Sequence, residues 1–229
     1  MIVFIGGMPR SGSTFAFNVV RDVLRTRGSV YQEPTSDLLG AVSRGGDAAH
    51  IIVKEHSLEA SALAIARHDA CRIIITTRRI EDACASWLEI FPDLPESICW
   101  DTMRRWLDFY QQIGSVGLRV PYDIIDRRPW IAAWRIGRYV ARDVTPLEIA
   151  RIVWRYRKAA VKKRVDALAS TDANIANAGW THYDKFTFFH RRHVSSLASV
   201  SAEQRLSADI LLRVRNELAA EIRANPNIS

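Results

Sequence analysis

A glycine-rich segment close to the first residue has the composition of a phosphate-binding loop. The apolar run Val3 to Ile5 predicts a short strand, and apolar residues at helical spacing follow the loop. Backbone N–H groups of such a loop and the positive end of the next helix together bind anions. Gly7 and Gly12 have the spacing of the nucleotide-binding pattern G-x-x-x-x-G-K-[ST], but Ser13 stands at its lysine position.

The cation of this loop is Arg10. Because the missing lysine normally spans the β- and γ-phosphates beside magnesium, its absence argues against ordinary ATP or GTP hydrolysis. A planar guanidinium instead suits a terminal group with trigonal oxygen geometry, which it can hold by two hydrogen bonds. For this segment taken alone, a tight turn before a capped helix is the structural alternative.

The loop Pro9-Arg10-Ser11-Gly12-Ser13-Thr14 resembles the first motif of the sulfotransferases that use 3′-phosphoadenosine 5′-phosphosulfate (PAPS). That motif is Pro-[Arg/Lys]-Ser-Gly-[Ser/Thr]-Thr after the first strand, and the resemblance is to small bacterial members of the family. It implies a P-loop-like α/β fold with PAPS as the donor. The donor-binding residues that it implies here are Arg10, Ser11, Gly12, Ser13, Thr14 and Phe15.

A second motif follows a run of β-branched residues, Cys71 to Thr77, which is typical of a buried parallel strand. The resemblance implies an arginine at the end of this strand and a serine eight residues later, both of which bind the 3′-phosphate of the donor. Arg78 and Ser86 have this spacing. The structural alternative is that Arg78 and Arg79 form surface ion pairs with the acidic residues that follow. The order and separation of the two motifs favour the binding role.

A third apolar strand ends in Lys54, Glu55 and His56. In open α/β sheets the reactive groups lie beyond the carboxyl ends of the strands, so these side chains are expected at the same edge as the glycine loop. Cytosolic sulfotransferases carry a similar Lys-Thr-His sequence. The resemblance implies that Lys54 steadies the sulfuryl group and that His56 accepts the proton of the acceptor.

A second candidate for the base is Glu33, because the protein-tyrosine sulfotransferases use a glutamate that follows the first helix. The separation of Arg10 and Glu33 is similar to that in those enzymes, and Pro34 favours extended backbone before it. Both Glu33 and His56 remain candidates at this point, and the sequence favours Glu33.

The segment Tyr183 to Val194 resembles an aromatic and then basic stretch of bacterial sulfotransferases, where a loop closes over the adenosine. The resemblance implies that Arg191 and Arg192 reach the 3′-phosphate, although the glycine that usually follows is missing. His190 and His193 flank these arginines without a nearby carboxylate or cysteine, so no metal site is expected.

Composition limits the remaining possibilities. The length of 229 residues and the hydrophobic fraction of 48% predict one globular domain, residues 1–229. No stretch has the length of a membrane span and no signal peptide precedes the loop, so a cytoplasmic location is expected. Lys and Arg number 32 against 25 Asp and Glu, giving a net charge of +7. An anionic donor accounts for several of these cations, nucleic acid is not the favoured partner, and the basic stretch 155–164 is expected to be a solvated helix face.

Strand and helix alternate up to about residue 90, which predicts a parallel sheet wrapped by helices and a mainly helical C-terminal half. The predicted strands are 2–6, 29–32, 50–54, 72–77 and 117–123. The predicted helices are 13–27, 35–43, 57–67, 80–90, 95–113, 129–143 and 146–168, and the segment 170–181 is predicted to be a loop.

The predicted reaction is in-line transfer of a sulfuryl group to a hydroxyl or amine, with adenosine 3′,5′-bisphosphate (PAP) as the product and no metal. The acceptor is a small molecule or a glycan, and the sequence leaves its identity and the oligomeric state open. The alternatives are a variant P-loop small-molecule kinase and a non-catalytic nucleotide or nucleic-acid binding module. Most of the aromatic residues after position 91 are expected to be core rather than acceptor pocket, namely Trp100, Trp106, Tyr110, Trp130 and Trp134.

Overall fold

The first strand of the chain, β1 (Ile2–Gly7), is the central strand of a five-stranded parallel sheet. Its β-branched and aromatic side chains favour extended backbone. The computed structural model describes residues 1–59, 63–64, 66–67, 71–168, 174–177, 182–190, 201–225 and 228.

The other strands of this sheet run parallel to β1. They are β2 (Val30–Glu33), β3 (His50–Glu55), β4 (Cys71–Thr77) and β5 (Leu118–Pro121). The order across the sheet is β2-β3-β1-β4-β5, so β1 is hydrogen-bonded to β3 on one side and to β4 on the other. A separate antiparallel pair is formed by β6 (Ile175–Asn177) and β7 (His182–Asp184).

Helices cover both faces of the sheet and make up most of the described C-terminal half. The first four are α1 (Ser13–Arg25), α2 (Leu38–Gly45), α3 (Ile80–Ile90) and α4 (Glu96–Ile113). The next four are α5 (Tyr122–Arg127), α6 (Pro129–Val140), α7 (Pro146–Arg155) and α8 (Lys158–Asp166). Further along lie α9 (Ala202–Arg205), α10 (Ala208–Glu217) and α11 (Ala219–Ala224). The predicted fold class is confirmed.

Alternate residues of β1 belong to two hydrophobic clusters, because successive side chains of a strand point to opposite faces. Val3 and Ile5 belong to the cluster that includes residues of α1, α6 and α7. Phe4 belongs to the cluster that includes residues of α3 and α4, where its ring centroid lies 5.7 Å from that of Phe109. The sheet is therefore buried on both faces, as a parallel sheet requires.

The C-terminal helices pack against α3. Val214 and Leu218 are fully buried in the cluster that contains α3 and α4. The backbone N–H of Ala202 donates to Asp82 Oδ1 at 2.6 Å, and Arg205 forms an ion pair with Glu89 at 2.5 Å. Helix α3 therefore contacts a segment that lies more than 100 residues further along the chain.

The predicted helix 146–168 is wrong as a single element, because the chain breaks at Tyr156 and Arg157 between α7 and α8. No glycine or proline marks this break in the sequence. Tyr156 is buried in the core, and its hydroxyl donates to Asp22 at 2.8 Å. Tertiary contacts of this one side chain therefore override the local helix propensity.

Other boundaries also differ from the predictions. The predicted strand 117–123 ends at Pro121, and the helix α5 begins directly after this proline, a residue suited to a helix start. The helix predicted at 129–143 ends at Val140, and residues 57–59 of the helix predicted at 57–67 are not helical. Strand β6 lies within the segment predicted as a loop, 170–181.

The aromatic residues predicted as core divide into two groups. Trp100, Trp106 and Tyr110 are buried, which confirms the prediction for them. Trp134 is only partly buried, and Trp130 is 41% exposed. Among the described residues, no helix combines the length and the apolar character needed to cross a membrane.

Candidate functional site

The glycine loop between β1 and α1 depends on two glycines for different reasons. A Cβ at Gly7 would come within 2.3 Å of the Cβ of Ser13, so the strand and the helix approach too closely for any side chain. Gly12 has a φ of 87°, in the left-handed region that glycine adopts without strain. The loop is thus folded tightly back onto the start of α1.

Ser11 joins the loop to the sheet. Its hydroxyl is fully buried, donates to the carbonyl of Met8 at 2.5 Å, and lies 2.6 Å from the hydroxyl of Thr76. Ser11 does not line the cavity described below. The structure therefore gives this residue a role in holding the loop, whereas the resemblance implied that it binds the donor.

Arg10 is held in a conformation that is unusual for a residue with a side chain. Its φ is 65°, in the left-handed region, and its Nε donates to Ser86 Oγ at 3.2 Å. Burial is the main cause that lowers the pKa of Arg10 to about 10, with Arg78 adding to the effect and Tyr122 opposing it. The guanidinium remains protonated at neutral pH and is aimed at α3 from inside the loop.

Arg78 and Ser86 meet beside Arg10, as the second motif predicts. Arg78 is 6% exposed and Ser86 is 2% exposed. Arg78 Nη1 donates to the backbone carbonyl of Arg10 at 3.0 Å, and its guanidinium lies 4.2 Å from the ring centroid of Tyr122. Arg79 instead forms ion pairs with Glu81, Asp82 and Glu203, so the surface alternative applies to Arg79 and not to Arg78.

Lys54 is the penultimate residue of β3 and His56 follows the end of this strand, and both side chains face the same space. Burial lowers the pKa of Lys54, and Glu55 opposes this effect. His56 Nδ1 lies 2.6 Å from the carbonyl oxygen of Gly7. Because a carbonyl can only accept, Nδ1 carries the hydrogen, and the lone pair of the neutral ring is on Nε2. Burial and the charge of Lys54 lower the pKa of His56, which favours this neutral form.

Glu33 lies away from this group. Its carboxylate forms an ion pair with Arg44 at 3.0 Å and accepts a hydrogen bond from the hydroxyl of Tyr31 at 2.9 Å. It does not line the cavity that Lys54 and His56 line. The structure therefore does not bring Glu33 to the other candidate residues, contrary to the preference drawn from the sequence.

A cavity of about 470 Å³ lies where these elements converge. Its walls include the loop residues Arg10, Gly12, Ser13, Thr14 and Phe15, and also Lys54, His56, Arg78 and Ser86. No side chain among the described residues caps α1, so the N–H groups of Ser13 and Thr14 at its start have no side-chain partner and can bind an anion in this space. The structure thus brings together every site residue predicted in 1–90 except Ser11 and Glu33.

One wall of the cavity is aromatic and is anchored on α1. Phe188 and Phe189 line the cavity, and the ring centroid of Phe188 lies 4.4 Å from that of Phe17. Asn18 Nδ2 donates to the carbonyl of Thr187 at 2.9 Å, and Arg21 donates to the carbonyl of Phe186. The aromatic segment is thus fixed to the helix that begins at the glycine loop. Arg191 and Arg192, predicted to follow it, lie outside the described residues.

Several cavity residues were not identified from the sequence. Two of them, Arg157 and Lys158, fall in the basic stretch that was expected to be a solvated helix face. No motif or periodic pattern of the sequence marks these two residues as part of a site. The other unidentified polar or aromatic residues of the cavity include Trp87, Phe91, Tyr122, Asp126, Tyr156 and Arg205.

The charge in the cavity is mainly positive. Its described lining contains the cations Arg10, Lys54, Arg78, Arg157, Lys158 and Arg205 and one carboxylate, that of Asp126. Lys158 forms an ion pair with Asp126, which leaves the loop and the ends of β3 and β4 as the most positive part. Crowding of like charges in a cleft marks a site for an anionic ligand with several negative groups.

Solved structures of other proteins share this architecture, and three of them contain PAP. The mouse sulfotransferase SULT7A1 complexed with PAP matches with a TM-score of 0.65 and 12% identity, over 98% of this chain and 84% of that one. Retinol dehydratase in complex with retinol and PAP matches with a TM-score of 0.59 and 11% identity, over 97% and 81%. Retinol dehydratase in complex with androsterone and inactive cofactor PAP matches with a TM-score of 0.58 and 10% identity, over 97% of this chain and 80% of that one.

These matches show that the chain has the sulfotransferase fold, which confirms the fold that the sequence resemblance implied. No protein-family model matches the sequence. No curated protein sequence matches it either.

The contrast between Ser11 and Ser13 provides a test of the loop. We expect Ser11→Ala to lower the free energy of unfolding by about 1–3 kcal/mol, because two buried partners lose their hydrogen bond. Ser13→Ala is the matched control, since Ser13 lines the cavity and no hydrogen bond of its hydroxyl is seen among the described residues. Urea unfolding of both variants measures the difference, and equal stability of the two would contradict the assigned role of Ser11.

Proposed function

We propose that this protein is a PAPS-dependent sulfotransferase that transfers a sulfuryl group to a hydroxyl or amine. The observation that carries the proposal is the meeting of Arg10, Arg78 and Ser86 at one cavity of a sulfotransferase fold. Two separate sequence motifs imply these residues, and they are in contact in the structure. The neighbours of the same fold that were solved with PAP support the choice of donor.

The cavity fits a donor with anionic groups at two positions. Arg78 and Ser86 are placed to hold the 3′-phosphate, because both are buried and open onto the cavity. The loop N–H groups and Arg10 are placed to hold the 5′-phosphosulfate. Between them, Phe15 and the anchored ring of Phe188 offer apolar surface for the adenosine. No group of three or more metal-binding side chains occurs in the described part of the chain.

When bound, the donor supplies a sulfuryl group whose bond to the bridging oxygen breaks as the acceptor attacks from the opposite side. Arg10 stabilises the equatorial oxygens of the transferred group. Lys54 offsets the negative charge that develops on the bridging oxygen. The acceptor oxygen or nitrogen would form the new bond to sulfur and lose its proton to a base at the same edge, and PAP would leave with the electron pair of the broken S–O bond.

His56 is the base that the geometry favours. It lines the cavity, its Nε2 carries the lone pair, and its lowered pKa keeps the ring neutral near pH 7. Glu33 is the alternative, but its carboxylate is bound by Arg44 and Tyr31 outside the cavity. A transfer role for Glu33 would require these contacts to break first.

The acceptor is a small molecule or a glycan, and the domain 1–229 is proposed to act in the cytoplasm. Trp87 and Phe91 line the cavity near Ser86 and offer apolar surface to an acceptor. Their ring centroids are 5.0 Å apart.

Calorimetry with nucleotides tests the donor class. We expect PAP to bind much more tightly than AMP, because only PAP carries the 3′-phosphate that Arg78 and Ser86 would contact. Replacing Arg78 by Ala should remove roughly 1.5–3 kcal/mol of a charge-assisted contact, about ten- to a hundredfold in PAP affinity. AMP affinity should change far less.

Arg79→Ala is the matched control for this experiment, because the neighbouring guanidinium binds Glu203 and does not line the cavity. Its PAP affinity should stay close to that of the unaltered protein, because Asp82 and Glu89 still hold α9 on α3 in this variant. Equal affinities for PAP and AMP would reject the proposal. Tight binding of ATP with magnesium would favour the kinase alternative, and salt-dependent oligonucleotide binding without PAP affinity would favour a nucleic-acid module.

Arg10→Ala should abolish sulfuryl transfer and leave the fold intact, because the side chain lines the cavity and is not part of either hydrophobic cluster. We expect a circular-dichroism melting curve similar to that of the unaltered protein together with no turnover. Turnover at a normal rate would show that the loop is only a turn.

The base is identified by two isosteric substitutions. His56→Asn keeps a side-chain N–H for the carbonyl of Gly7 but has no basic nitrogen, and Glu33→Gln removes the competing carboxylate. We expect His56→Asn to lower turnover on the order of 10²- to 10⁴-fold with PAP affinity unchanged, and Glu33→Gln to have little effect.

The pH profile gives a second measure of the same role. Because burial and Lys54 lower the pKa of His56, its neutral form persists below pH 6.5 and the rate should fall only under that value. The reverse pattern, a large loss in Glu33→Gln and a small one in His56→Asn, would transfer the assignment to Glu33. Near-normal rates in both variants would exclude both residues.

A further inference from the structure

We propose that Arg205, carried by the C-terminal helix α9, is a further cation of the 3′-phosphate site, in addition to Arg78 and Ser86. This inference rests on the proposed function, because the 3′-phosphate belongs to the proposed donor. Neither of the two sequence motifs includes this residue.

The position of Arg205 is set by helix α3. Ser86 and Glu89 are three residues apart on this helix and therefore lie on the same face. Glu89 holds the guanidinium of Arg205 at 2.5 Å, and the side chain of Arg205 is only 4% exposed. This pair holds Arg205 against the face of α3 that carries Ser86, and Arg205 and Ser86 line the same cavity as Arg10 and Arg78.

The electrostatics agree with this placement. Arg205 lines the cavity together with Arg10 and Arg78, and its positive charge contributes to the lowering of the pKa of both. Glu89 pairs with Arg205 and also raises the pKa of Arg10, and Asp82 and Asp126 raise the pKa of Arg78, yet burial keeps the pKa of both Arg10 and Arg78 below the ordinary value. A doubly negative phosphate at this point would relieve the repulsion among the three cations, which is a favourable term that a neutral 3′-hydroxyl cannot supply.

The rest of the C-terminal segment holds α9 on α3. The backbone N–H of Ala202 donates to Asp82, and Glu203 forms ion pairs with Arg79 and Arg215. Val214 of α10 is fully buried in the core below. Helix α9 is distant from the glycine loop in the sequence, but these contacts place its Arg205 in the wall of the cavity that the loop lines.

The test compares the affinities of three variants for PAP and AMP by calorimetry. We expect Arg205→Met to bind PAP roughly ten- to a hundredfold more weakly and AMP nearly as well as the unaltered protein. Arg213→Met is the matched control, because Arg213 lies in the same segment and pairs with Glu96 at 2.8 Å but does not line the cavity. Its PAP affinity should be unchanged.

Arg205→Lys covers the case in which Arg205→Met does not fold. Lysine keeps the charge and a partner for Glu89 but loses the planar fork, so we expect a smaller loss that is again confined to PAP. A purely structural role predicts equal weakening of PAP and AMP, and this result would overturn the inference. Normal PAP affinity in the folded variants would overturn it as well.

The Arg78→Ala variant separates this inference from the proposed function. If the unaltered protein binds PAP no better than AMP, the proposed function fails and the inference fails with it. If PAP is preferred and Arg78→Ala loses that preference while Arg205→Met keeps it, only the role of Arg205 is rejected.

Discussion

The pairing of β1 between β3 and β4 is the constraint on which the site depends. The parallel register places Ile5 opposite Lys54 and Gly7 opposite Thr76, so the glycine loop, His56 and Arg78 all emerge at one edge of the sheet. Burial on both faces fixes this register, because a slip by one residue would turn the apolar side chains of β1 away from their clusters. The sheet therefore brings the cations together in the absence of any ligand. The packing energy of the sheet offsets the repulsion between these like charges.

The part of the fold that could be predicted is the part governed by local pattern. Helix α3 was predicted with its observed bounds, because an apolar β-branched strand and two arginines precede it and Phe91-Pro92 follows it. The same holds for the loop, where glycine spacing predicts the turn and the helix start. Motif order then predicted that Arg10, Arg78 and Ser86 lie together, although more than 60 residues separate the loop from Arg78.

The features that could not be predicted from the sequence depend on tertiary packing. The break at Tyr156 follows from one buried ring and its bond to Asp22, and that break turns Arg157 and Lys158 into the cavity. Glu33 has suitable spacing for a base, yet its strand lies at the edge of the sheet, where Arg44 and Tyr31 bind its carboxylate. Arg205 reaches the cavity only because α9 packs on α3. None of these outcomes has a periodic or motif signal.

The left-handed backbone of Arg10 has a consequence for how this chain can change. A glycine at position 10 would adopt the observed φ of 65° without the cost of a side chain, and it would remove a cation from a crowded positive site. Selection for thermal stability alone would therefore favour the loss of this arginine. The proposed anionic donor would explain its presence as a trade-off, in which a less stable loop is accepted in return for binding. Laboratory evolution under selection for stability alone should replace Arg10, whereas selection for enzymatic turnover should retain it.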